Sequence, residues 1–250
     1  MEKLTAQLLA ERKNKYRGGI YYITQTEMAY NSNRIEGSRL SREHTVSLFS
    51  TRSIIPNEGE AIMADDIVET MNHFRAFDFM LDTIDKPLSE DLIKKIHGIL
   101  KAGTSDSGLP WFNVGDYKTM GNIVGTNETT PPERVPEEMN RLLEKYNSIE
   151  TIFLDDILQF HVSFEKIHPF QDGNGRAGRL IMFRECLRAH ITPFIIDERH
   201  KAYYYRGIAL YGEKKGYLTD TCLSAQDKYT EYMKRYVPKT ERDYKEQEEA

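Results

Sequence analysis

Apolar residues recur every three or four positions along much of this chain, and that spacing constrains the fold more than any other feature of the sequence. Ser89 and Pro136 stand where a helix N-cap and a first helical turn are expected. The spacing therefore predicts an all-α fold. The predicted helices cover residues 61–84, 89–100, 136–146, 154–167, 175–190 and 200–212.

One long region departs from the helical pattern. Residues 103–135 are rich in glycine and proline, and they contain a short β-like patch at Asn122–Thr126. We predict that this patch belongs to a hairpin or flap. An ordinary surface loop fits the composition equally well.

Composition excludes several classes of protein. The 250 residues carry 34 Lys and Arg against 39 Asp and Glu, a net charge of -5, so no basic field would attract nucleic acid. No apolar run is long enough to span a membrane. Two cysteines, Cys186 and Cys222, cannot make a disulfide scaffold, and Cys186 lies in an apolar stretch typical of a core. Since the first 17 residues also lack the apolar segment of a signal peptide, we expect a cytoplasmic protein.

The most informative segment is Ile167–Arg179, which reads IHPFQDGNGRAGR. Pro169 discourages continuation of the preceding helix, and the glycines allow a tight turn into the next one. Backbone N–H groups at such a helix start bind anions, and Arg176 and Arg179 share one face of the helix. Asp172 offers a hard oxygen ligand for Mg²⁺, and His168 can accept a proton near neutral pH. The pattern favours a site for a di- or triphosphate.

Simpler explanations exist for each part of this segment. Asp-Gly and Asn-Gly are common turn dipeptides, and a single histidine is more often structural. The segment also lacks the Lys-Ser/Thr end of a P-loop. The coincidence of base, carboxylate, glycine turn and two arginines within twelve residues favours the phosphate site.

Residues 168–179, HPFQDGNGRAGR, closely resemble the Fic family signature HPF-x-[DE]-GNGR-x-x-R at every specified position. The resemblance extends over roughly residues 88–212. It implies the Fic fold, an all-α helical bundle with a short β-hairpin flap over the active site. It also implies transfer of AMP from ATP, with Mg²⁺ as cofactor, to a Ser, Thr or Tyr hydroxyl of a protein.

The resemblance also assigns roles to residues. His168 would be the general base, Asp172 the Mg²⁺ ligand, and Arg176 and Arg179 the ligands of the β- and γ-phosphates. The anion hole would comprise Gly173, Asn174 and Gly175. The flap that docks the target would comprise Lys118, Thr119, Met120, Gly121, Asn122, Ile123, Val124 and Gly125. Tyr204 or Tyr205 would stack on the adenine, although the sequence favours a place in the core for both tyrosines.

A second motif lies near the start of the chain. Ser32–Gly37, SNRIEG, resembles the family's inhibitory motif [ST]-x-x-x-E-[GN]. In that arrangement Glu36 pairs with Arg179 and occupies the guanidinium that the γ-phosphate needs, while Ser32 orients the segment. The same residues also read as a helix end capped by Gly37, and both interpretations can hold together.

These observations predict three parts: an N-terminal helical segment with the inhibitory motif (1–55), a Fic catalytic domain (56–238) and a charged tail (239–250).

The predicted function is a self-inhibited protein adenylyltransferase that acts on an unidentified protein and on itself. The family also includes homodimers. Two alternatives stay open. One is the reverse enzyme, in which Glu36 aligns a water that removes AMP, and the other is a nucleotide-sensing binding module. Neither nucleic acid nor a membrane is an expected partner.

Overall fold

The computed structural model describes residues 2–125 and 127–237, which form ten α-helices and one two-stranded hairpin. The all-α fold class is confirmed. The helices are α1 (Glu2–Lys13), α2 (Ile20–Ile35), α3 (Arg42–Thr51), α4 (Ala64–Asp82), α5 (Glu90–Lys101), α6 (Val135–Asn147), α7 (Leu154–Ile167), α8 (Asn174–Arg188), α9 (Lys201–Ala209) and α10 (Gly216–Tyr236). The predicted tail, 239–250, lies outside the described residues.

Local sequence signals set several helix ends. The Ser89 hydroxyl accepts a hydrogen bond from the Leu92 amide at 3.3 Å, which makes it the N-cap of α5. A proline stands in the first turn of α6, as expected. Gly37 follows the end of α2 with φ of 105°, a conformation that glycine adopts without strain. The predicted helix and capping signals at these ends are confirmed.

Helix α10 was not among the predicted helices. Only Leu218, Cys222 and Tyr229 are buried along its 21 residues. So narrow an apolar stripe gives only a weak helical periodicity in the sequence. The helix is stabilised by its packing against α9. Within residues 2–125 and 127–237, no helix is both long and apolar enough to cross a membrane.

The expected hairpin is present. Its strands are β1 (Ile123–Val124) and β2 (Asn127–Glu128), which are antiparallel, with Ile123 opposite Glu128 and Val124 opposite Asn127. Gly125 at the turn has φ of 62°, which favours glycine.

Helix α8 is the centre of the molecule. Residues 176–187 of this helix are all buried, and they include Cys186, which lies in the core as predicted. Apolar residues of α1, α2, α4–α8 and α10 form one cluster around it. Because α8 is enclosed on most sides, its N-terminal turn lies where several helices can place side chains.

Candidate active site

The loop between α7 and α8 carries the signature. His168 ends α7 in a left-handed conformation (φ 53°), and Gly173 (φ 81°) leads into α8. The buried Asn174 side chain accepts a hydrogen bond from the Phe170 amide at 2.9 Å and donates one to the Phe170 carbonyl at 2.8 Å. Asn174 therefore fastens the loop with its side chain, and only its main chain can serve the expected anion hole.

The first turn of α8 forms a compact cradle. Helix geometry leaves the first N–H groups without intrahelical partners, and the helix dipole adds positive potential there. A Cβ placed on Gly175 would collide with the Glu36 carboxylate and lie 2.9 Å from Arg179 Nη1. Glycine thus makes room for an anion, and the Glu36 carboxylate occupies that space.

Glu36 pairs with Arg179 although 143 residues separate them. Arg179 Nη2 lies 2.6 Å from Glu36 Oε1 and donates to the Ser32 carbonyl at 3.0 Å, while Nε donates to the Ser32 hydroxyl at 3.0 Å. Burial alone would lower the pKa of Arg179, but the Glu36 carboxylate together with Tyr204 and Tyr205 outweighs this effect, and the pKa is raised. The remaining nitrogen, Nη1, is buried without a partner among the described residues.

Asp172 and Arg176 contact two residues that sequence reasoning missed. Lys101 Nζ lies 2.6 Å from Asp172 Oδ2 and 2.7 Å from Glu69 Oε1. Arg176 lies 2.5 Å from Glu69 Oε2 and 3.0 Å from Asp172 Oδ2. Burial would raise the pKa of Asp172, but Arg176 and Lys101 outweigh it and lower the pKa to about 2. Neither Glu69 nor Lys101 has a local signal, since each reads as an ordinary charged position on a helix.

His168 is half-buried beside this cluster. Its Nδ1 is buried without a partner in the described part of the chain. Burial lowers the pKa of the imidazole below 6.5, and the nearby Lys118 cation lowers it further. The ring is therefore neutral at neutral pH and can accept a proton.

His97 of α5 holds the signature loop from the other side. Its Nδ1 accepts a hydrogen bond from the Gly115 amide at 3.0 Å, so Nε2 carries the proton and donates to the Asp172 carbonyl at 3.1 Å. The ring stacks on Phe170 with centroids 3.9 Å apart. These contacts fix the backbone beneath Asp172.

The predicted flap divides into a buried base and an exposed tip. Lys118 is 3% exposed, and its Nζ donates to Asn122 Oδ1 at 2.8 Å and to Thr129 Oγ1 at 2.6 Å. Its amide donates to the Pro169 carbonyl at 2.9 Å. Lys118 therefore ties the hairpin to the signature loop and offers no surface to a target. The exposed positions are Thr119, Met120, Gly121, Ile123, Val124 and Gly125.

The two candidate adenine residues differ. Tyr204 is fully buried, and its hydroxyl lies 2.6 Å from His161 Nε2, so it has no exposed ring face for a base. The predicted stacking role of Tyr204 is therefore wrong, because α9 packs this ring into the core. Tyr205 is 40% exposed and lies beside Arg179, so it remains a candidate.

Glu165 is a further titratable group that the sequence did not reveal. Its side chain is 13% exposed, and Oε1 has no hydrogen-bond partner among the described residues. Burial raises the pKa of Glu165 to about 8, so the carboxyl is protonated at neutral pH. Because it is uncharged, it does not compete with Glu36 for Arg179.

The donor set around Asp172 suits magnesium. The Asp172 side chain is 47% exposed, and both cations bind its Oδ2 rather than Oδ1. The described residues contain no group of three or more His, Cys, Asp or Glu arranged to hold a metal by themselves. Mg²⁺ commonly takes one or two carboxylates together with substrate phosphates and waters. Asp172 therefore fits as the single protein ligand of a nucleotide-bound Mg²⁺.

Comparison with known sequences agrees with this geometry. Residues 87–186 match the Fic/DOC family profile. The chain is 27% identical over 198 residues to protein adenylyltransferase Fic of Nematostella vectensis, covering 76% of this chain and 44% of that protein. It is 26% identical over 185 residues to protein adenylyltransferase fic-1 of Caenorhabditis elegans, covering 72% and 35%. The chain thus spans less than half the length of these relatives.

Solved structures show the same fold. A Fic-domain signalling protein from Bacteroides thetaiotaomicron matches with a TM-score of 0.73 and 19% identity, over 93% of this chain and 95% of that one. Fic-1 of C. elegans, residues 134–508, matches with a TM-score of 0.70 and 20% identity, over 85% and 63%. The signature at the start of α8 and the family match show that residues 87–186 of this chain form a Fic domain, and the solved structures show that the chain shares the fold of Fic proteins.

Proposed function

We propose that the chain is a self-inhibited protein adenylyltransferase that transfers AMP from ATP to a hydroxyl of a protein. The family match and the names of the curated relatives support AMP transfer. Self-inhibition rests on one observation: the Glu36 carboxylate fills the cradle at the start of α8 and pairs with Arg179 at 2.6 Å.

The same cradle accounts for nucleotide binding. The N–H groups of the first turn of α8 would bind phosphate oxygens, and Arg176 and Arg179 would neutralise the charge of the outer phosphates. Arg179 Nη1, which has no partner among the described residues, is one donor available for this. Tyr205 is the remaining candidate for contact with the adenine. Since Glu36 and the γ-phosphate both need Arg179, each excludes the other.

His168 would supply the base. Its neutral imidazole takes the proton from the target hydroxyl, whose oxygen forms a bond to the α-phosphorus as the bond to pyrophosphate breaks. Asp172 would hold Mg²⁺, which when bound neutralises charge on the phosphates. The rest of the work is positioning and charge stabilisation by this chain's own residues.

The hairpin would present the target. An extended target segment can add to the edge of β1, where Ile123 and Val124 are 66% and 49% exposed. Pairing through main-chain hydrogen bonds depends little on the side chains of the target, so this surface does not identify the target protein. Self-modification, a homodimer, the cytoplasmic location and the division at residues 55 and 238 stay predictions.

Replacing Glu36 with Gly tests self-inhibition. The lost charge-assisted pair is worth about 1.5–3 kcal/mol, so AMP transfer should rise on the order of 10–150-fold. Intact mass after incubation with ATP and Mg²⁺ detects self-modification, and labelled ATP with cell proteins detects transfer to others. Glu58→Gly, in an exposed loop, makes the same chemical change and should leave the rate unchanged.

One further variant sharpens this test. Glu36→Gly combined with His168→Ala should lose the gained activity. That loss would show that the activity belongs to this protein and not to a contaminating enzyme. If Glu36→Gly leaves transfer at the wild-type rate, the segment only caps α2. The reverse enzyme is the second candidate, because Glu36 places a carboxylate inside the site. Loss of AMP removal from a modified protein in Glu36→Gly, without gain of transfer, would favour it.

A further inference from the structure

Glu69, Lys101, Asp172 and Arg176 form a closed charge ring. Each carboxylate contacts both cations, over distances of 2.5 to 3.0 Å. Each residue comes from a different part of the chain: Glu69 from α4, Lys101 from α5, Arg176 from α8 and Asp172 from the signature loop. The two negative and two positive charges give the ring no net charge.

The ring is buried on one side and open on the other. The side chains of Lys101 and Arg176 are each 3% exposed and that of Glu69 is 17% exposed, whereas that of Asp172 is 47% exposed. Buried ion pairs lose most of their Coulomb gain to desolvation, so they contribute little net stability. Stability alone therefore does not explain why three largely buried charges surround the exposed Asp172 carboxylate. A ligand that binds Asp172 explains the arrangement better.

We propose that Glu69 and Lys101 are positioning residues that orient Asp172 and Arg176 and set the local charge that a divalent cation meets at Asp172. This inference rests on the proposed function, since it concerns the magnesium ion that accompanies ATP. Lys101 engages Oδ2 of Asp172 and fixes the carboxylate. Glu69 holds Arg176 and offsets the charge of Lys101.

The two residues should act on cation affinity in opposite directions. Glu69→Gln keeps the shape of the side chain but removes a negative charge near the site, so Mg²⁺ should bind on the order of tenfold more weakly. Lys101→Met removes a positive charge beside Asp172, while Arg176 still holds Asp172 Oδ2 at 3.0 Å and keeps the carboxylate oriented. Mg²⁺ should therefore bind more tightly, by a similar factor. A role in packing alone would not give opposite signs.

The test titrates Mg²⁺ by calorimetry into each variant, in the Glu36→Gly background with a non-hydrolysable ATP analogue. Lys94→Met is the matched control, since it removes a more exposed cation two turns earlier on α5 and should change the affinity less than about twofold. Opposite shifts for Glu69→Gln and Lys101→Met support the proposal. Shifts of the same sign, or none, overturn it.

A second measurement needs no nucleotide. Glu69→Gln and Asp172→Asn each leave the two cations one shared carboxylate, but the double variant leaves them none. Its loss in Tm should exceed the sum of the single losses by at least about 2 °C, and additive losses would overturn the ring. If Glu36→Gly binds no Mg²⁺–nucleotide complex, the proposed function fails. The comparison of Tm losses among these variants then tests the coupling of the four charges by itself.

Discussion

His168 lies at the end of α7 with φ of 53°, a conformation that few non-glycine residues adopt. The turn points the chain into the glycine loop and leaves the imidazole half-buried near Asp172. Residue 168 therefore has two separate roles: its backbone forms the turn, and its ring faces the site. A substitution that removes the ring while the turn is retained separates them.

We expect His168→Ala to lower AMP transfer by roughly 10²–10⁴-fold while ATP affinity in the Glu36→Gly background stays within a few-fold. His190→Ala is the matched control, because His190 has nearly the same φ (57°) but is exposed at the far end of α8. Equal stability losses with unequal activity losses would assign the chemistry to the His168 ring. Transfer that survives in His168→Ala would remove this residue from the mechanism.

The pH dependence follows from the pKa of His168. Burial lowers this pKa below 6.5, so the ring is neutral and competent as a base at neutral pH. The value of kcat/KM should therefore be flat around pH 7 and fall only below pH 6.5, as the ring takes up a proton. A profile of kcat/KM against pH in the Glu36→Gly protein measures this, and an acid limb centred above pH 6.5 would contradict it.

At the scale of elements, the contact between α9 and α10 shapes the side of the site that carries Tyr204 and Tyr205. A Cβ on Gly207 would lie only 2.7 Å from Leu218 Cα and 2.8 Å from its amide nitrogen. The two helices can approach this closely only because residue 207 has no side chain.

We expect overpacking in Gly207→Ala to lower the free energy of unfolding by about 2–3 kcal/mol, the upper part of the usual range, because the added Cβ meets backbone atoms of Leu218. The better helix propensity of alanine, about 1 kcal/mol, offsets only part of this loss. Chemical denaturation measures the difference. Gly216→Ala is the control, because the nearest atom to its added Cβ would be Asp220 Oδ2 at 3.9 Å, and stability should be retained. A Gly207→Ala protein as stable as the wild type would mean that the helices can move apart freely.

At the scale of the whole molecule, the N-terminal helices share a core with the Fic domain. Leu4 and Leu8 of α1 and Met28 of α2 belong to the same buried cluster as Phe160 and Leu180. The division predicted at residue 55 therefore does not coincide with a gap in packing. Glu36 reaches Arg179 from a segment that is held by this shared core.

We expect Leu8→Ala to cost about 2–5 kcal/mol and to shift the unfolding of the whole chain, because Leu8 is fully buried. Trp111, the only tryptophan, accepts a hydrogen bond from Thr119 of the predicted flap and reports on that segment, and far-UV circular dichroism reports on all helices. Both transitions should move together. Leu9→Ala, at a position 36% exposed, should have a much smaller effect. If the Trp111 transition stays in place while the dichroism shifts, the N-terminal helices are a separate folding unit.

The sequence by itself determined the features that depend on neighbours along the chain. Helical spacing, the Ser89 cap, the turn at Gly37 and the signature at 168–179 all follow from short-range geometry. The hairpin near Asn122 was also within reach, because its glycines and β-like residues are local signals.

Only the tertiary structure decided which distant side chains meet. Glu69 and Lys101 join Asp172 because α4 and α5 pack against α8. Tyr204 is buried while Tyr205 remains partly exposed, since the packing of α9 selects which face of the helix is covered. The burial of Lys118 and the raised pKa of Glu165 arise in the same way. Charge and polarity are visible in a sequence, but desolvation and pairing depend on neighbours that only the packed fold supplies.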